Sequence, residues 1–461
     1  MIEEVIWSQM NGRRLLLWLI AGILLGAWTT PCWAGPDLVV TTFVLATGQA
    51  PSAAAGGTIE VEVDVKNQGD TTANNVPLHF YLSHDSNITI DDVFMQTEVA
   101  FAAITPGATV SWSGPLNLPW DMAPGTFYMG AIINDRGQIP ETNTSNNSLL
   151  LQTGTGTIEV TATGAFYSKV GVFRDGLWVL DKSGNTQWDG PEGGDRFIYL
   201  GQAGDTGVVG DWNGSGTTKA GVFREGLWVF DYTRNGTWSG PPYDRFMYLG
   251  QAADVPVVGD WNGDGRGKPG VFRDGLWVFD YNGNGQWDGP SAGDLFMYLG
   301  QAGDIPVAGD WNGDGRSKAG VFRDGLWVLD YNGNGQWDGP SGGDRFMYLG
   351  QAGDIPVTGD WNGDGRSKAG IFRDGLWVFD YNGNGQWDGP SGGDRFMYLG
   401  QANDIPVVGN WNGLDGTDKA GVFRDGLWVL DLNGNGQWDG PPADRFGYIG
   451  QAGDQAEVGT W

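Results

Sequence analysis

The chain has 461 residues, among them 80 glycines, 24 tryptophans and a single cysteine, and its net charge is −29. With 40% hydrophobic residues and no three-residue glycine period, it is neither disordered nor collagen-like. The acidity excludes nucleic acid and anionic lipid as partners over most of the surface and makes cations the natural counterpart, although acidity also serves solubility in exported proteins.

Residues 1–34 read as an export signal. Arg13 and Arg14 precede the apolar run from Leu15 to Trp28, and Cys32-Trp33-Ala34 offers a cleavage site before Gly35. The alternative is an uncleaved membrane anchor. Cleavage removes the one cysteine, so no disulfide, thiolate or cysteine-based metal site is expected in the mature chain. No second apolar segment of spanning length follows, which predicts a secreted or cell-surface protein without membrane insertion after cleavage. Its oligomeric state is not legible.

Residues 35–152 form a unit without internal repetition. Apolar and polar residues alternate in TIEVEVDVKN (58–67) and FYMGAII (127–133), with turn clusters at Asn67-Gln68-Gly69, Thr105-Pro106-Gly107 and Ala123-Pro124-Gly125. Short strands at this spacing predict a β-sandwich. The elements PDLVV (36–40), VDVKNQG (63–69), FYLSHDSNITIDD (80–92), ITPG (104–107) and IPETNTSNN (139–147) resemble the CARDB family. That resemblance implies an immunoglobulin-like domain on an exported bacterial protein, with a setting in adhesion or surface display.

Thr153–Thr157 (TGTGT) reads as a linker, and residues 158–461 as a repeat region. Trp178, Trp228, Trp277, Trp327, Trp377 and Trp428 recur at spacings of 49–51 residues, which marks six copies. Each copy reads as four strands, GVFR, LWVF, RFMYLG and IPVTGDW, the first two joined by an Asp-Gly hairpin turn. The fold class is therefore all-β: an immunoglobulin-like β-sandwich followed by a β-propeller of six four-stranded repeats. Residues 158–166 and 456–461 are expected to meet in one blade and close the ring. An open stack of hairpins is the alternative.

Two acidic loops recur. DYNGNGQWDG (330–339) places oxygen-bearing side chains at its first, third, fifth and ninth positions, a spacing that suits a hard cation such as Ca²⁺. The candidate ligands are Asp330, Asn332, Asn334 and Asp338, with equivalents Asp280, Asn282, Asn284 and Asp288; Asp380, Asn382, Asn384 and Asp388; and Asp431, Asn433, Asn435 and Asp439. With two carboxylates each, the loops are expected to bind at about 10⁻⁴–10⁻³ M. The competing reading is a set of Asp and Asn side chains that cap turns.

In the second loop, GDWNGDGRSK (309–318), Lys318 stands where a ninth-position acid would close a metal shell, as do Lys268 and Lys368 in its kin. The lysine is expected to pair with the carboxylates and keep the loop metal-free. GDWNGDGRSKAGVF resembles the FG-GAP or VCBS-type repeats of exported bacterial proteins. This implies a propeller, structural calcium, and roles in adhesion or ligand recognition, with the lysine departing from the family's usual aspartate.

The repeats contain no histidine and no cysteine, which excludes Ser-His-acid and Cys-His sites there. No acid visibly breaks the repeat symmetry as a catalytic pair would, so no enzyme is expected. His79 and His84 lie in the N-terminal unit without a ligand pattern. Trp337 and Trp361, beside the polar loops, are expected to be partly exposed. Exposed aromatics beside Asp and Asn suit sugars, which makes a multivalent lectin the alternative to a calcium-stabilised protein that binds an extracellular protein or glycan.

Overall fold

The computed structural model describes residues 35–461 except 56, 91, 96, 119–121, 123, 162–166, 235, 242–243 and 414–415. The leader and Cys32 lie outside the described residues. Among those described, helix is limited to three-residue 3₁₀ turns, and no helix is long and apolar enough to cross a membrane.

The N-terminal strands are β1 (Leu38–Leu45), β2 (Ser52–Ala54), β3 (Thr58–Asn67), β4 (Ala73–Ser83), β5 (Val93–Phe94), β6 (Val99–Ile104), β7 (Thr109–Asn117), β8 (Gly125–Ile133), β9 (Ser148–Leu150) and β10 (Thr157–Thr161). One sheet has the order β1-β3-β7. The other runs β2-β10-β8-β4-β5, with β6 also paired to β4 and β9 to β8. In β3, Ile59, Val61, Val63 and Val65 are buried while Glu60 and Glu62 face solvent, the alternation of a half-buried strand. They meet Phe43, Phe80 and Phe127 in a single core.

The strand expected to help close the repeat region is instead part of this sandwich. β10 pairs antiparallel with β8 and parallel with β2, and buries Ile158 and Val160 in the N-terminal core. The physical reason lies in the tryptophans. Strands that open a repeat sheet end in Gly-x-Trp, as in Gly359–Trp361, and bury that indole. Residues 158–166 carry no tryptophan. The expected linker 153–157 accordingly leads into a strand of the sandwich.

Residues 169–459 form six four-stranded antiparallel sheets. The fourth consists of Ile305–Gly309, Lys318–Arg323, Leu326–Leu329 and Arg345–Tyr348. Its central hairpin turns at Asp324 and Gly325, both at positive φ (50° and 89°), as a two-residue type I′ loop demands. A Cβ on Gly325 would lie 2.3 Å from the carbonyl oxygen of Gly350, so only glycine fits. Trp327 is fully buried and its indole N–H donates to the Leu349 carbonyl at 3.0 Å.

The sheets are out of phase with the sequence units by one strand. Ile355–Gly359 pairs with Lys368–Arg373 rather than with the RFMY strand of its own copy, and so opens the fifth sheet. Asp354 anchors the crossing, since its carboxylate accepts from the Gln351 N–H (2.9 Å) and from the Arg373 guanidinium (2.9 Å) of the sheet that follows.

The phase shift leaves the first sheet without an opening strand of its own, and Gln455–Gly459 supplies it by pairing with Lys169–Arg174. The opening strands lie side by side in sequence order. The last of them, Gln455–Gly459, touches both Ile405–Gly409 and Thr206–Gly210.

Candidate functional site

The DYNGNG loop follows the third strand in the third to fifth sheets, and DLNGNG takes its place in the sixth. Asp330 is buried, and its two carboxylate oxygens accept from the N–H groups of Gly333 (3.0 Å) and Gly335 (3.1 Å). Asn332 Oδ1 accepts from Asn334 N (2.8 Å), and Asn334 Oδ1 from Gln336 N (2.8 Å). Asn334 Nδ2 donates to Asp338 Oδ2 at 2.5 Å, and Asp338 is exposed. The same bonds recur around Asp280, Asn282, Asn284 and Asp288, and around Asp380, Asn382, Asn384 and Asp388. In the last loop Asp431 caps Gly434 and Gly436, while Asn433 and Asn435 both donate to Asp439. Thus the four predicted side chains share one loop, but each holds a turn, and the ninth-position acid meets an amide rather than the first-position acid.

A different carboxylate faces Asp330. Asp344, just before the RFMY strand, is buried and accepts from the N–H groups of Tyr331 (3.1 Å) and Asp338 (2.7 Å). Burial pushes Asp330 up to about 6, and the Asp344 charge adds to this while the Gly335 N–H offsets part of it. Asp280 and Asp380 are pushed to about 6 by the same burial and the same neighbours, Asp294 and Asp394. Asp294 Oδ1 is buried and accepts no hydrogen bond. In that one loop two buried acids and an orphaned oxygen would suit a cation, whereas the same oxygens of Asp344 and Asp394 accept from the N–H groups of Tyr331 and Tyr381. Among the described residues no three acidic, histidine or cysteine side chains converge, so amide and main-chain oxygens would have to complete any shell. Sequence reasoning missed Asp344. The available signal was an aspartate that persists as Asp244 in the second copy, where the ninth-position acid is Ser239.

In the second loop a lysine ammonium sits among the acidic oxygens. Lys318 Nζ donates to Asp310 (2.9 Å), Asp314 (2.7 Å) and the Arg316 carbonyl (2.8 Å), with its side chain 2% exposed. Lys268 and Lys368 hold the equivalent oxygens. Burial alone would raise the Asp314 carboxyl, but hydrogen bonds from Arg316 and Lys318 hold it well below the usual carboxylate range. The expected internal pairing is what the loop contains.

Of the two tryptophans expected near the surface, Trp337 is 39% exposed, whereas Trp361 is buried. Trp361 packs on Phe379 at 4.6 Å and donates its N–H to Ala369. Phe346 and Tyr348 are the more exposed aromatics, at 50% and 70%, and every sheet repeats the trio with Trp337. His79 is buried in β4 and bonds Asp135 at 2.7 Å, together with the Tyr81 hydroxyl.

Acids do break the repeat symmetry, Glu457 among them. Glu457 occupies the position of the buried Val307, Val357 and Val407. Its room comes from Gly207, where a Cβ would lie 2.7 Å from Glu457 Oε1; the other opening strands have proline there, except Gln455–Gly459 itself, which has Ala456. Gln455 joins the two, since its amide donates to Glu457 (2.8 Å) and pairs with both the N–H and the C=O of Gly207 at 2.9 Å.

Burial pushes the Glu457 carboxyl up to about 8. A raised carboxyl contributes stability that is complete below its unfolded value and lost as pH rises toward the folded one. Stability should therefore fall by about 1.4 kcal/mol per pH unit between about 4.5 and 8 on this account. Glu457→Gln is expected to match the wild type near pH 4 and exceed it at pH 8 in thermal melts. Parallel profiles would show that this carboxyl does not titrate across that range.

Comparison with known proteins concerns the sandwich. Residues 35–150 match the CARDB family model and are a CARDB domain. The CARDB domain of the PF1109 protein from Pyrococcus furiosus, solved in complex with di-metal ions, is 16% identical, with 28% of this chain and 90% of that one covered and a TM-score of 0.20. A domain of a candidate cell surface protein from Methanosarcina acetivorans is 15% identical, with 28% and 91% covered and a TM-score of 0.19. A β-glucosidase from Listeria innocua is 14% identical, with 28% of this chain but 16% of the enzyme covered, and a TM-score of 0.17. No curated protein matches the chain.

Proposed function

We propose that the chain is an exported, non-enzymatic recognition protein of the cell exterior. Its CARDB domain adjoins a six-bladed propeller of the FG-GAP or VCBS type, and calcium in the DYNGNG loops stabilises that ring. The observation that carries recognition is the solvent-facing aromatic trio repeated on all six sheets, Trp337, Phe346 and Tyr348 in the fourth. Large exposed aromatics on the outer strand of every sheet form apolar ground that soluble proteins keep for partners. The cyclic order of opening strands supports the ring, and the signal-like pattern of residues 1–34 supports the location. The same aromatics favour a second reading, a multivalent lectin, because weak repeated sites gain from avidity.

A protein and glycan array probed with and without calcium tests recognition. Capture that survives chelation and follows one sugar selects the lectin. Substrate turnover abolished by Glu457→Gln would reject the non-enzymatic reading.

Calcium is tested by its stoichiometry on the metal-stripped protein. About four ions are expected, one for each complete loop, with an affinity near 10⁻⁴–10⁻³ M. Asp338→Ala should lose one ion if the ninth-position acid is a ligand, and Asp344→Asn if the buried acid is. Lys318→Ala should lose none. Absence of binding at millimolar calcium would reduce the loops to turns.

A further inference from the structure

The grooves between consecutive sheets are equivalent by repetition but not equally filled. Between the third and fourth sheets the cavity is about 20 Å³, and Arg316 lies in it. Its stem crosses Gly263, where a Cβ would lie 2.9 Å from Arg316 Cγ. The guanidinium donates to Asp314 at 2.8 Å and lines the groove beside Tyr281. Between the fourth and fifth sheets Arg366 crosses Gly313 in the same way, and the cavity is about 40 Å³.

Between the fifth and sixth sheets no arginine takes that place among the described residues. The copy reads Thr417-Asp418-Lys419 where the fifth sheet has Arg366-Ser367-Lys368, and the cavity there is about 370 Å³. The two replacements remove one positive charge and add one negative charge. Asp418 is hydrogen-bonded to the Asp360 N–H at 2.9 Å. Burial nevertheless holds its carboxyl above the ordinary range, with that bond and Lys419 offsetting only part. Tyr381, with the Arg395 guanidinium over its ring at 3.7 Å, and Phe379 stay in place as the wall, in the position of the tyrosine beside Arg316. We propose that this groove binds an arginine side chain presented by a partner protein, the guanidinium occupying the space that Arg316 and Arg366 fill within the chain. The proposal deepens the recognition reading and rests on it for an external partner, but it needs neither calcium nor the exposed aromatics.

The groove between the second and third sheets is also open, at about 400 Å³, and Arg266 lines it while its guanidinium bonds Asp92 of the sandwich at 3.1 Å. Its lining sets Arg245, Arg266 and Lys268 against Asp280, whereas the groove between the fifth and sixth sheets sets Arg395 and Lys419 against Asp394, Asp418 and Asp431, so the acidic excess belongs to the latter.

The test is titration of the full chain with N-acetyl-arginine methylamide, beside its neutral citrulline counterpart and free arginine, followed by nuclear magnetic resonance of the tryptophan indoles. One site at roughly millimolar affinity is expected for the acetylated arginine, and at least tenfold weaker binding for citrulline. Free arginine that binds at least tenfold better than the capped form would overturn the peptide-borne source. Thr417→Arg with Asp418→Ser restores the repeat's own residues and should abolish binding while raising the melting temperature. Arg366→Thr with Ser367→Asp should open a second site and double the stoichiometry. Equal binding of citrulline, no binding by the wild type, or unchanged binding in the restored variant would overturn the proposal. An array that still captures a partner after such a failure would leave surface recognition standing and reject this groove alone.

Discussion

Deletion of Gln455–Trp461 is expected to lower the melting temperature of the repeat region by about 10–20 °C, more than any single substitution. The segment's residues Gln455–Gly459 pair with Lys169–Phe173 and form the opening strand of the first sheet. It buries Trp461, whose indole N–H donates to the Val170 carbonyl at 3.2 Å, while Lys169 Nζ donates to the Trp461 carbonyl at 2.8 Å. Loss of one such tryptophan costs about 3–5 kcal/mol. The bare edge of Lys169–Arg174 is also left to pair with another chain. Thermal melts followed by tryptophan fluorescence, with sedimentation to detect association, check this. An unchanged melting temperature would show that these ends are not joined in solution.

A fragment of residues 35–152 should be markedly less stable than one of residues 35–161, by about 3–6 kcal/mol. The difference is β10, which buries Ile158 and Val160 and covers edges of both β8 and β2. Each aliphatic side chain is worth about 1.5–3 kcal/mol of burial. Against a typical domain stability of about 5–15 kcal/mol, the shorter fragment is marginal. Urea titration of the two fragments decides it. Coincident transitions would return the strand to the repeat region, where the sequence reading had put it.

The difference between those two placements shows where sequence reasoning stopped. IEVTATGAF has the alternation of a strand, and alternation says which residues face a core without saying whose core. The absent tryptophan was the usable clue. Trp361 shows the same limit from the other side. It stands beside a polar loop in the sequence, yet the chain folds it back so that the indole packs on Phe379 of the sheet that its own strand opens. In the DYNGNG loops the spacing of oxygens was visible, but the partner acid was not. Asp344 lies fourteen positions from Asp330 and approaches it only because the hairpin ends and the 3₁₀ turn at Pro340–Gly342 bring the two together.

By itself, then, the sequence determined the all-β class, the sandwich of the first unit, six repeats of near-equal length, the two-residue hairpins at Asp-Gly and the lysine that neutralises Asp310 and Asp314. These follow from local conformational preference, alternation and close charge spacing, which act over a few residues. Only the tertiary structure decided the phase of strands against repeats, the partner of the last strand and the fate of each groove. Which edge a strand joins depends on the burial and hydrogen bonds available there, and those are set by residues far away in the chain. Gln455 and Glu457 make the point. They replace the isoleucine and valine of other copies for reasons that appear only where Gly207, distant in sequence, comes within 2.9 Å.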